Sequence, residues 1–245
     1  MASIELATPR IVAITDRKKL YLLTIGRITK KQWLHYFEGI LSTSENQAGK
    51  RVDSFDSSSA RLELVEQSLV NAKGYSTADG GEVTATSGWQ QLLPLSHRLA
   101  AGNVIVSVQR AEPSDDDPIV LGAEAIYLKA IWSADDSGQM QEYSGLCHKF
   151  KTPNAEQQRR YSRESSKSRI IGGSRKGKTL WLGPQATLVE LYDELIVSVD
   201  GYQVNGATLG DDRDRIVAEM DTYHKVAAAD ILFSPAAANV LEEAE

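Results

Sequence analysis

ELVEQSLVNAKGY (63–75) stands 127 residues ahead of ELYDELIVSVDGY (190–202), and the two align without a gap. Glu63 meets Glu190, Leu64 meets Leu191, Val70 meets Val197, Gly74 meets Gly201 and Tyr75 meets Tyr202. The same register carries SHRLAAGNVIVS (96–107) onto YHKVAAADILFS (223–234), placing His97 on His224 and Ala100-Ala101 on Ala227-Ala228. Tyrosine and histidine are 22 residues apart in both copies. A fixed offset sustained this long is the signature of an internal repeat. With a different offset, RIVAITDRKKLYL (10–22) resembles RIIGGSRKGKTLWL (169–182).

Each repeat reads as a β-hairpin followed by helices. A basic turn flanked by apolar runs gives the hairpin. In the second copy Leu188, Leu191, Tyr192, Leu195, Ile196 and Val199 recur at three- and four-residue spacing, which predicts a helix ended by Gly201 in a left-handed turn. In the first copy Trp33, Tyr36, Phe37, Ile40 and Leu41 predict one helix, and Leu62, Val65, Leu69 and Ala72 another that ends at Gly74. A polar stretch, 42–59, separates them. The His97 and His224 segments predict a last helix in each copy, with Pro94 in the first turn of one and Asp221 capping the other. Between the copies 104–108, 119–132 and 140–150 read as strands, with a turn at 135–138. The expected fold is α+β, an internally duplicated hairpin-plus-helices unit with an antiparallel β region between the copies. The expected division is 1–102 for the first unit with its polar insertion near 42–59, 103–151 for the β region, and 152–245 for the basic segment and second unit.

The 245 residues, 42% of them apolar, suffice for a sizeable core. No apolar run is long enough for a membrane span or a secretion signal, so the chain reads as soluble and cytoplasmic. Cys147 alone excludes an intrachain disulfide, and four histidines show no zinc-ligand spacing with it. Asp115, Asp116 and Asp117 read as a solvated loop. Net charge is −6, unevenly placed. Arg159, Arg160, Arg163, Lys167, Arg169, Arg175, Lys176 and Lys178 face Glu164 alone across 159–178, giving that segment +7 and leaving −13 for the remainder. A basic element on an acidic body points to an anionic partner surface, and another copy of the same chain supplies one.

Gly172-Gly173-Ser174-Arg175-Lys176-Gly177-Lys178-Thr179 satisfies the phosphate-loop pattern. That chemistry needs a strand before the loop and a helix after it, and Gly183-Pro184 would break such a helix early. A basic hairpin tip is the better reading. His97 and His224 read as packing or capping residues, Cys147 and His148 fall on opposite strand faces, and His35 has no visible partner. No catalytic triad or carboxylate pair stands out, so no catalytic, cofactor or metal residue is assigned.

LYDELIVSVDGYQVNG, MDTYHKVAAADILF and the preceding EYSGLCHKFKTPNAEQQRRYSR resemble segments of phage and prophage structural or tail-assembly proteins. The resemblance covers about the last 110 residues. It implies a non-enzymatic protein without cofactors, working by contact with other copies of itself or with other virion and assembly proteins, in a host cytoplasm and in the virion. The alternative is a nucleotide- or nucleic-acid-binding protein using 159–178.

Overall fold

Arg17 and Lys18 both have positive φ (47° and 64°), the backbone of a two-residue hairpin turn whose twist matches its flanking strands. They join β2 (Arg10–Asp16) to β3 (Lys19–Ile25), paired without interruption from Arg10 opposite Ile25 to Asp16 opposite Lys19. The computed structural model describes residues 3–45, 51–112, 120–165 and 184–234, with the side chains of 41–45 and 51–55 left aside. After β3 come α1 (Lys30–Ile40), a ribbon of β4 (Leu41–Glu45) and β5 (Arg51–Phe55), α2 (Ser57–Ser68) and β6 (Leu69–Lys73). A short 3-10 turn (Val83–Ala85), α3 (Trp89–Leu92) and α4 (Leu95–Ile105) complete the first half. The second half runs β7 (Gln109–Arg110), β8 (Ala123–Ala134), β9 (Met140–Lys151), α5 (Ala155–Ser165), α6 (Gln185–Leu195), β10 (Ile196–Val204), β11 (Ala207–Gly210), α7 (Arg213–Glu219) and α8 (Thr222–Phe233). Helices are combined with sheets whose pairings are antiparallel apart from β1 with β10, so the fold is α+β.

At the aligned positions 63–73 and 96–105 the secondary structure matches that of 190–200 and 223–232, whereas Gly74 and Tyr75 lie beyond the end of β6 and Gly201 and Tyr202 continue β10. Helices α2 and α6 end at Ser68 and Leu195, each followed by a residue in extended conformation, Leu69 and Ile196. Strand β6 pairs with β3, and β10 with β9, through the same register: Leu23 opposite Ala72 and His148 opposite Val199, with one irregularity beside Leu69 and beside Ile196. Gly74 (φ +92°) and Gly201 (φ +85°) follow, and a Cβ on either would lie 2.9 or 3.0 Å from the carbonyl oxygen of Leu20 or Gly145. Only glycine meets both demands at once.

The structure corrects two sequence expectations. The helices expected to reach Gly74 and Gly201 stop earlier, because 69–73 and 196–204 pair with hairpins that sequence periodicity does not see. Their apolar spacing fits both periods, and β-branched Val70, Ile196, Val197 and Val199 suit a pleated surface. In place of the strand expected at 104–108, α4 ends at Ile105, with Ala101 and Ile105 on one buried helical face, and 106–108 are a turn and loop. The hairpin that precedes α5 and pairs with β10, as β2–β3 precedes α1 and pairs with β6, is β8–β9. The hairpin expected at 169–182 lies outside the described residues.

Two apolar cores result, one around Leu23, Trp33 and Leu64, the other around Leu128, Phe150 and Tyr192. Three devices join the halves. Strand β1 (Ile4–Glu5) crosses over to pair in parallel with Tyr202 and Gln203 of β10. Ile11 N–H and Ala13 N–H on the edge of β2 donate to Ser133 Oγ (2.9 Å) and Met140 Sδ (3.3 Å). Tyr223 of α8 packs against Trp33 and Phe37 of α1, with ring centroids 4.8 and 5.8 Å apart. Among the described residues no helix is long and apolar enough to cross a membrane.

Candidate functional site

Strand β9 places His148 on the face covered by α6, and the sheet carries it to Tyr202 on β10. The Tyr192 hydroxyl lies 2.9 Å from His148 Nδ1, His148 Nε2 lies 2.8 Å from the Tyr202 hydroxyl, and that hydroxyl lies 2.8 Å from His224 Nδ1. All four side chains are buried. Burial, helped by the neighbouring His224, holds the His148 imidazole well below its ordinary pKa. Burial and the Arg10 charge lower His224 to about 3. Both rings are therefore neutral at pH 7, with one N–H each. One polarity uses every hydroxyl proton: Tyr192 donates to His148, His148 Nε2–H to Tyr202, and Tyr202 to His224 Nδ1. His224 Nε2 is left without a partner, its ring perpendicular to Trp132 at 5.3 Å. Chemically the chain is a closed line of neutral hydrogen bonds tying α6, β9, β10 and α8 together.

The first half keeps the last link only. Tyr75 Oη lies 2.7 Å from His97 Nδ1, and His97 Nε2 lies 3.4 Å from Asp16. Leu23 and Val65 occupy the places of His148 and Tyr192. A second feature does recur in both halves: Arg98 pairs with Glu66 on α2, and Lys225 with Asp193 on α6.

Beside Trp132 the halves enclose a cleft of about 450 Å³, lined among others by Arg10, Arg27, Lys30, Asp193, Asp221 and Lys225. Arg10 lies over the Trp132 ring at 3.3 Å and donates to Asp221 Oδ2 at 2.7 Å. Burial lowers the Arg10 guanidinium to about 10 against the opposing pull of Asp221, so it stays charged at pH 7. Asp221 also accepts from Trp33 Nε1 (3.3 Å) and caps α8 through the Tyr223 N–H (2.8 Å). Lys225 Nζ donates to Asp193 and to the Val217 carbonyl, both at 2.6 Å, and burial lowers its pKa although Asp193 opposes the shift. Arg27 pairs with Glu219 at 2.7 Å.

Of the basic residues singled out from sequence, Arg159, Arg160 and Arg163 lie on α5. Arg160 is turned inward along the chain's own surface, paired with Glu190 and with Glu194 (2.6 Å) on α6, while Arg159 and Arg163 are exposed. Lys167, Arg169, Arg175, Lys176 and Lys178, with the phosphate-loop pattern at 172–179, lie outside the described residues. His35 has a partner after all, Glu63 at 3.0 Å. Among the described residues no group of three or more His, Cys, Asp or Glu side chains is placed to hold a metal ion.

Sequence reasoning noted the equal Tyr75–His97 and Tyr202–His224 intervals as a sign of repetition but foresaw neither contact, and it missed the roles of His148 and Tyr192 and the whole cleft. His148 could have been found only as a second-half substitution of an apolar repeat position. The pairing of Arg10 with Asp221 carries no local signal, the two being 211 residues apart. Comparison with protein families, curated proteins and solved structures found no match for this chain.

Proposed function

We propose that this is an internally duplicated, non-enzymatic phage or prophage structural or assembly protein that acts through protein–protein contacts. One observation carries the reading. In the cleft beside Trp132, six of the seven charged lining groups are spent on one another: Arg10 on Asp221, Arg27 on Glu219 and Lys225 on Asp193, leaving Lys30. A general acid or base needs a titrating group free to meet a substrate, whereas paired, partly buried ions fix the register of two packed units. The closed Tyr192–His148–Tyr202–His224 line supports the same reading, since it anchors elements to each other without reaching solvent.

The test is deletion of the coding sequence in a cell that makes the particle, followed by gradient sedimentation and electron microscopy. The expected result is loss of complete particles, restored by the protein supplied in trans. Unchanged particle yield and infectivity would sink the reading. Particles that form normally but lack packaged nucleic acid would favour the alternative in which 159–178 meets nucleic acid.

A further inference from the structure

The corner between α7 and α8 is the element by which the second half grips the first. Arg27 donates to the carbonyls of Ala218 and Glu219, Arg10 and Trp33 hold Asp221, and Tyr223 stacks on Phe37. The corresponding corner of the first half, between α3 and α4, has no such cover among the described residues. Leu92, on the position of Glu219, is 60% exposed, and Leu95, on the position of Thr222, is 54% exposed.

Charge separates the two corners more sharply still. Residues 210–223 hold Asp211, Asp212, Arg213, Asp214, Arg215, Glu219 and Asp221, while 83–96 hold no charged side chain in a chain that is 24% charged. Charge depletion around exposed apolar residues marks the centre of a protein interface. Ser87, Gly88, Gln91 and Ser96 supply an uncharged polar rim.

We propose that the α3–α4 corner, centred on Leu92 and Leu95, is a docking surface for the same corner of a second copy of this chain. Two arguments select that occupant. The chain carries −6, so copies repel each other at most approaches and meet with little like-charge cost here, where 83–96 hold no charge and the neighbouring Glu66, beside Gln91, is paired with Arg98. A head-to-tail repeat of the internal contact would need the second half's α5 to offer an aromatic pad. Gln158 and Ser162 stand there where α1 has Trp33 and Phe37, so the apolar corner finds its match in its own like. Such a contact is isologous and closes as a two-fold dimer. The inference names the partner for the assembly reading above and rests on it.

Sedimentation equilibrium of the full chain across a concentration series tests it. The wild type should form a dimer, and Leu92→Glu with Leu95→Glu should sediment as a monomer with an unchanged circular dichroism spectrum. Should that variant fail to fold, a spin label on Ser96→Cys gives the second measurement, with one short distance between copies expected by double electron–electron resonance. A wild type that is monomeric at every concentration, a folded double variant that still dimerises, a label that reports no distance between copies, or protection of this corner only by a different protein would overturn the proposal. A monomeric wild type would leave the assembly reading to its own test, particle yield after gene deletion.

Discussion

Arg10 and Asp221 meet at 2.7 Å with 7% and 8% of their side chains exposed, joining β2 of one half to the start of α8 in the other. Removing one member of a buried ion pair leaves the other uncompensated. Asp221→Ala also strips the α8 cap and the acceptor of Trp33 Nε1. Urea denaturation should show a loss of about 3–5 kcal/mol. Asp200→Ala, which breaks an exposed pair with Lys149, should stay within about 0.5 kcal/mol. Equal losses for the two variants would mean that the inter-half pair adds no more than a surface contact.

Acid should weaken the fold through the buried imidazoles. His224 has a folded pKa of about 3 against an ordinary value of 6.5, so below pH 6.5 the unfolded chain binds a proton that the folded chain refuses. Its contribution is present above pH 6.5 and is lost as pH falls toward 3. His148, shifted in the same direction, adds to the loss. His224→Asn keeps a polar atom near the Nδ1 position and cannot titrate. Its stability should depend less steeply on pH near 5, by about 1.4 kcal/mol per pH unit. An unchanged slope, measured by denaturation from pH 4 to 7, would place the proton uptake elsewhere.

Tyr202→Phe should cost more than Tyr75→Phe. The first removes the shared partner of His148 Nε2 and His224 Nδ1, both buried, and each orphaned group costs about 1–3 kcal/mol. The second removes one bond of a half-buried hydroxyl, about 1 kcal/mol. Thermal melts of the two variants, compared side by side, decide the order.

Gly201→Ala places a methyl group 3.0 Å from the Gly145 carbonyl in a left-handed backbone, and Gly74→Ala does the same 2.9 Å from Leu20. Gly80 is also left-handed, at φ +82°, but has nothing within 4 Å of its added carbon. All three substitutions carry backbone strain of about 1–3 kcal/mol, and only the first two add a clash. Chemical denaturation should therefore rank Gly80→Ala as the mildest.

Within the basic residues of α5, Arg160→Ala should lower stability by about 0.5–1 kcal/mol, since Arg160 ties α5 to Glu190 and Glu194 of α6. Exposed Arg159→Ala should leave the melting temperature unchanged. A loss of association in Arg159→Ala without a loss of stability would identify the outward-facing arginine as the one that meets a partner.

Local chemistry made the hairpin at 16–19, the turn at 135–138, the Asp221 cap and, to within one residue, the helix start at Pro94 readable from sequence, because each depends on residues within a few positions. The equal Tyr-to-His intervals were legible too, but that each spans a hydrogen bond became visible only in the fold. Sequence alone did not decide where α2 and α6 stop. The apolar residues from Leu188 to Val199 satisfy a helical period and a strand period alike, and the choice at Ile196 falls to the backbone partners offered by β9. The neutrality of His148 and His224, the burial of Arg10 against Asp221 and the exposure of Leu92 are likewise properties of neighbours brought from far along the chain. The sequence determined which short segments turn, cap and repeat, because those energies are local. Only the tertiary structure decided which polar groups lose their water and with whom they pair, because desolvation depends on what packs around a side chain.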